Sequence, residues 1–161
     1  PGAAVYISLK HIPNPLYRSL VYLSGPLANA LILLLLVCLL KLETHLISST
    51  FVPLIQALAF IQIALIIFNL IPIPGLDGWG AISPILNPNI RAFFEKFGFI
   101  FIVGAVASMI LINDVSELVG YALNLSIESV GLDWDQILEG WSYLKIVDDG
   151  DCKICSFLGS L

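Results

Sequence analysis

Histidine and charge are both scarce in this 161-residue sequence. The only histidines, His11 and His45, stand thirty-four positions apart and are flanked by polar turn residues. No helical turn of this chain therefore carries the histidine pair from which a zinc centre is commonly built. Lysine and arginine number 7 against 12 acidic residues, a net charge of -5. That balance excludes the basic footprint of a nucleic-acid-binding protein. Cysteine occurs three times. Cys38 lies inside an apolar run, and Cys152 and Cys155 have the spacing of half a metal or redox site but lack a second ligand pair.

Apolar residues fill the space that charge leaves. Hydrophobic residues make up 58% of the chain, charged residues 12%, and the mean hydropathy is +0.96, more apolar than one soluble core of this size requires. Residues 19–40, 44–76 and 97–113 contain no Asp, Glu, Lys or Arg, and each holds a segment near the length that crosses hydrocarbon. The first run is too long for the apolar part of a secretory signal and lacks a small-residue cleavage site. The expected fold is all-α: a polytopic membrane bundle of about three transmembrane helices plus an interfacial or fourth helix.

Residues 1–18, with Pro13 and Pro15, read as an extended or interfacial lead-in. The first helix is predicted from Ser24, a good N-cap with Pro26 in the first turn, to about residue 42. The second span covers residues 51–71, where Gln62 and Asn69 lie two turns apart on one face that should look into the bundle. Pro72, Pro74, Pro84 and Pro88 then break regular helix repeatedly. Irregular backbone at membrane depth needs protein or a watery cavity around it, so a cavity is expected near Asp77. A third span is predicted over residues 94–112, where Gly104 and Ser108 could admit a close neighbour.

Residues 115–132 read as an interfacial helix, or a fourth span, and the acidic remainder to residue 161 as solvated. The chain accordingly divides into a membrane core over residues 1–113 and an interfacial helix with an acidic tail over residues 114–161. Asn124-Leu-Ser126 matches a glycosylation sequon, a pattern that also arises by chance. Lys10, Arg18, Arg91 and Lys96 lie toward one side and Lys41 toward the other, which predicts a multi-pass protein with its Asp77 side in the cytoplasm.

Asp77 is the residue that invites a chemical reading. An ionisable group beside a membrane span is by default a functional candidate, and a carboxylate is a normal zinc ligand. On spacing alone, Asp77 could equally cap a helix or turn beginning at Gly78.

The sequence N-L-I-P-I-P-G-L-D-G over residues 69–78 resembles the N-x-x-P-x-x-x-L-D-G element of the site-2 protease family of intramembrane zinc metallopeptidases. S-G-P-L-A-N over residues 24–29 resembles the G-P-x-x-N element that such proteins carry on an earlier helix. The similarity extends over about residues 1–113. It implies that Asp77 is a zinc ligand, that Asn69 steadies the substrate carbonyl or its oxyanion, and that Asn29 is a second polar group near the cavity. Asn29 could equally make an interhelical hydrogen bond alone. The implied partners are membrane lipid and a transmembrane protein substrate.

The family takes its other two zinc ligands and its general base from H-E-x-x-H, which is absent from this sequence. Two expectations follow. Either the chain is part of a protease whose H-E-x-x-H lies upstream, an expectation that its abrupt start at Pro1-Gly2 favours, or it is a proteolytically inactive membrane module that binds and regulates a partner. In either case the chain alone should not hydrolyse peptides, because one carboxylate cannot hold a catalytic zinc. A channel or carrier, for which polar groups on broken helices would line a path, lacks the internal repeat common in such folds.

Overall fold

A computed structural model describes residues 14–42 and 49–144, the side chain of residue 50 excepted. Among them the regular structure is all helical: α1 (Pro15–Lys41), α2 (Val52–Leu70), α3 (Asp77–Ile82), α4 (Pro88–Lys96), α5 (Gly98–Leu111), α6 (Asn113–Val130) and α7 (Trp134–Tyr143), with 3-10 turns at Ser49–Phe51 and Ser83–Ile85. The expected all-α bundle is what forms.

The first helix starts earlier than its predicted cap. Asn14 is the N-cap, its side-chain oxygen accepting from the Leu16 N–H at 2.9 Å, and Pro15 occupies the first turn, where its missing N–H costs nothing. Residues 15–18 are therefore helical, not extended. Ser24 lies inside α1 and donates its hydroxyl to the Val21 carbonyl at 2.6 Å. The helix runs through Pro26, which is buried against its neighbours; packed surroundings let a membrane helix tolerate an interior proline.

Two helices, α1 and α2, are long and apolar enough to cross a membrane. With 27 and 19 residues, they extend about 40 Å and 28 Å at 1.5 Å per residue. Along α1, Leu27, Leu31, Leu34 and Leu35 are exposed, and Pro26 alone is buried. In water that would be an aggregation hazard; a bilayer solvates it.

The third span is not one helix. The segment predicted over residues 94–112 is divided between α4 and α5, which are bent by 64° at Phe97. Gly98 sits flush on Pro74, where an added Cβ would meet the proline Cβ at 3.0 Å. The 14 residues of α5 extend only about 21 Å, short of the roughly 30 Å hydrocarbon layer. Around Gly104 no atom lies within 4 Å of where a Cβ would stand, so the expected close helix approach there does not occur among the described residues.

The acidic remainder is also not wholly solvated. Gly131, at φ +79°, ends α6, its N–H reaching the Ile127 and Glu128 carbonyls. Asp133 then caps α7 by accepting from the Asp135 and Gln136 N–H groups at 2.8 and 3.3 Å. The amphipathic α7 packs on α2. Ile137, fully buried, joins Ala59, Phe60, Ile63, Leu123, Ile127 and Leu132 in one core. Trp134 and Trp141 flank the Phe60 ring at centroid distances of 5.5 and 6.3 Å.

Candidate functional site

Helix α2 ends where its sequence requires. Pro72 disfavours helical backbone at the preceding residue, and Ile71 is extended at ψ 131°. The chain then turns tightly: the Ile73 N–H donates to the Ile71 carbonyl at 2.8 Å and the Leu76 N–H to the Ile73 carbonyl at 3.0 Å. Gly75 takes φ +104°, a conformation that L side chains rarely adopt. Asp77 is the first residue of α3.

Three glycines determine where Asp77 lies. A Cβ on Gly78 would run into the carbonyls of Leu70 and Ile71, and one on Gly80 would enter the Tyr22 ring. Thus α3 folds back over the end of α2 and also packs on α1. The third glycine, Gly25, is in α1, and a Cβ there would stand 2.8 Å from Asp77 Oδ2. The carboxylate therefore lies over the one position of that turn where the helix carries no side chain.

Asn69, in the last turn of α2, and Asn29, one turn beyond Gly25 on α1, are both half-buried. Neither makes a side-chain hydrogen bond among the described residues, and neither does Asp77. The N-cap of α3 is Leu76, so the alternative role of Asp77 as a helix cap is not realised. Gln62, expected to share the face of Asn69, has its Oε1 buried without a partner. Gln56 is fully engaged elsewhere, in the contact between α2 and α7.

Among the described residues, a cavity borders the turn that carries Asp77. A crevice of about 370 Å³ runs between Pro74, Gly75 and Trp79 on one wall and Glu95, Gly98, Phe99 and Ile102 on the other. Asp77 is absent from its walls. Trp79 is buried with its indole N–H unpartnered, and its ring packs on Phe94 at 5.1 Å.

Among the described residues, no three His, Cys, Asp or Glu side chains converge to hold a metal. The donor set is one carboxylate, free of ion pairs and hydrogen bonds among the described residues, over a space that a Cβ would fill. That fits one ligand of a site shared with other residues, and does not fit a complete zinc centre, which takes at least three protein ligands. His11, His45, Cys152 and Cys155 lie outside the described residues. Asn124, the sequon asparagine, is half-buried and accepts from the Trp134 indole N–H at 2.9 Å, which gives it a structural role.

Gly25 and Gly78 stand inside the two sequence elements, but the contacts that give them and Gly80 their importance are not legible in the sequence. The available signal was a glycine beside a proline within an apolar helix, whose significance depends on what packs against it.

The chain is 35% identical over 129 residues to a protein of Mycolicibacterium smegmatis named zinc metalloprotease Rip2, a provisional name, with 78% of this chain and 49% of that protein covered. It is 35% identical over 106 residues to the Mycobacterium tuberculosis protein of the same name, covering 64% of this chain and 40% of that one. The chain is a relative of the site-2 protease family. Its two site-2-protease-like elements, residues 24–29 and 69–78, meet in space through Gly25 and Asp77. The chain spans about half the length of the first of these curated relatives and less of the second. No protein-family model matches it, and no solved structure does.

Proposed function

We propose that this chain is part of an intramembrane zinc metalloprotease that cleaves transmembrane proteins, and that it supplies the N-x-x-P-x-x-x-L-D-G half of the active site. The observation that carries this reading is the placement of the Asp77 carboxylate over Gly25, which brings together residues some fifty positions apart in two sequence elements. The similarity to zinc metalloproteases supports it.

In this reading Asp77 is one zinc ligand, and the others come from an H-E-x-x-H helix outside this chain. Zinc, when bound, polarises a peptide carbonyl and makes water acidic enough to act near neutral pH. The chain's own residues orient the substrate. The Asn69 amide, half-buried and without a partner among the described residues, donates to the substrate carbonyl oxygen as negative charge grows there. Asn29, one turn from Gly25, provides a second polar contact on the same side of α1.

In the full-length protein, Asp77→Ala is expected to lower bound zinc and abolish cleavage of a transmembrane substrate. Asn69→Ala should leave zinc in place and lower kcat by about 10²- to 10³-fold, the usual cost of losing one oxyanion donor. Stoichiometric zinc and undiminished cleavage in the Asp77 variant would defeat the assignment. If the natural-length protein purifies without zinc, the inactive regulatory module becomes the better reading.

A further inference from the structure

We propose that α4 lies in the boundary between acyl chains and lipid headgroups as a surface-seated helix, and is not the first part of a third membrane span. Its occupant is the lipid interface itself. This inference is independent of the protease reading, since it requires neither zinc nor substrate.

The residues of α4 divide by face. Ile90, Phe93 and Phe97 recur at the three- and four-residue spacing of a helical stripe. Ile90 and Phe93 are 48% and 55% exposed, and Ile85, just before the helix, is 63% exposed. Phe94 instead turns inward, packing on Trp79 at 5.1 Å and on Phe101 at 5.0 Å. That contact anchors α4 to the protein and leaves Ile90 and Phe93 uncovered. The opposite side carries Ala92 and a pair between Arg91 and Glu95 at 2.7 Å. Lys96 lies over the Phe97 ring at 5.5 Å, with its charge at the edge of the apolar stripe.

A partly apolar, partly charged helix is poorly suited to cross hydrocarbon. Charges such as Arg91 or Lys96 are costly at mid-bilayer. At the interface the same helix places its apolar side among acyl chains and its charges among headgroups. Two features locate it there. The 64° bend at Phe97 turns α4 away from the direction of α5. Contacts of Phe94 with Trp79, and of Gly98 with Pro74, hold the bend beside the end of α2, where a membrane-length helix stops. The exposed side of α4 thus continues the apolar belt of the bundle at its rim.

The test uses full-length protein in vesicles of phosphatidylcholine and phosphatidylglycerol, with Cys38, Cys152 and Cys155 replaced by serine. A fluorescent label is attached at Ile90→Cys, Phe93→Cys or Ala92→Cys in turn. Labels at positions 90 and 93 are expected to be quenched severalfold more by a spin label high on the acyl chain than by one near its end. The label at 92 should be quenched severalfold more by aqueous iodide than either of those. Strongest quenching of 90 and 93 by the deep spin label would mean that α4 is part of a span and overturn the proposal. So would equal iodide quenching at all three positions. Shielding of 90 and 93 from lipid, with a disulfide-linked dimer of the unlabelled Phe93→Cys protein under oxidising conditions, would assign the face to a second copy and also overturn it.

Discussion

Two glycines separate the geometry of Asp77 from the stability of the fold. At Gly25 an added Cβ would stand 2.8 Å from Asp77 Oδ2, the end of a side chain that can rotate away. Gly25→Ala is therefore expected to leave the melting temperature nearly unchanged while reducing zinc content and proteolysis of the full-length protein, as read by metal analysis beside a thermal melt. At Gly78 the added Cβ would collide with the Leu70 and Ile71 carbonyls, which are backbone and cannot rotate away. Gly78→Ala should cost about 1–3 kcal/mol, the usual penalty for overpacking, measured by unfolding in detergent. An equal loss of stability in both variants would contradict the difference between a side-chain and a backbone neighbour. The motifs mark Asp77, Asn69, Gly25 and Gly78 in the sequence; what the glycines pack against was not legible, because a missing side chain carries meaning only through what fills its place.

Helices α2 and α7 form the contact that sequence patterning alone could not pair. Gln56, 7% exposed, donates to Gln136 Oε1 at 2.8 Å and accepts from the Asp133 N–H at 2.7 Å. At Gly140 a Cβ would run into the Pro53 carbonyl. Gln56→Leu leaves the Asp133 N–H without its acceptor, for which about 1–3 kcal/mol is the expected cost. Amide exchange should accelerate over residues 133–143 and remain unchanged in α1; uniform acceleration would show that α7 does not open separately. Ile137 and Trp141 stand at helical spacing, but the abundance of acidic residues around them led to the expectation of a solvated segment. One apolar stripe was enough to dock the helix. The bend at Phe97 was equally hidden, since hydropathy reports how apolar a segment is and not whether its axis is straight.

The molecule as a whole has a polarity that its contacts make concrete. Tyr22 packs on Gly80, and Trp79 packs on Phe94, so the Arg18 end of α1 and the helix bearing Arg91 and Lys96 lie at the same end of the bundle. Basic residues near span ends favour the cytoplasm. In oriented membranes of full-length protein, an impermeant maleimide should label Asn87→Cys only from the cytoplasmic side; labelling from the opposite side alone would reverse the orientation.

The sequence by itself determined that the chain is helical and membrane-embedded, that α2 stops before Pro72, and that Asn69 and Asp77 belong to a recognisable element. These follow from composition, from the local restriction that proline imposes, and from residue spacing, all of which act within a few positions of the chain. Tertiary structure alone decided that Asp77 lies over Gly25, that α4 bends away from α5 and that α7 joins the core of α2. Those outcomes depend on which distant surfaces interlock, and close packing at Gly25, Gly78, Gly98 and Gly140 is what selected them.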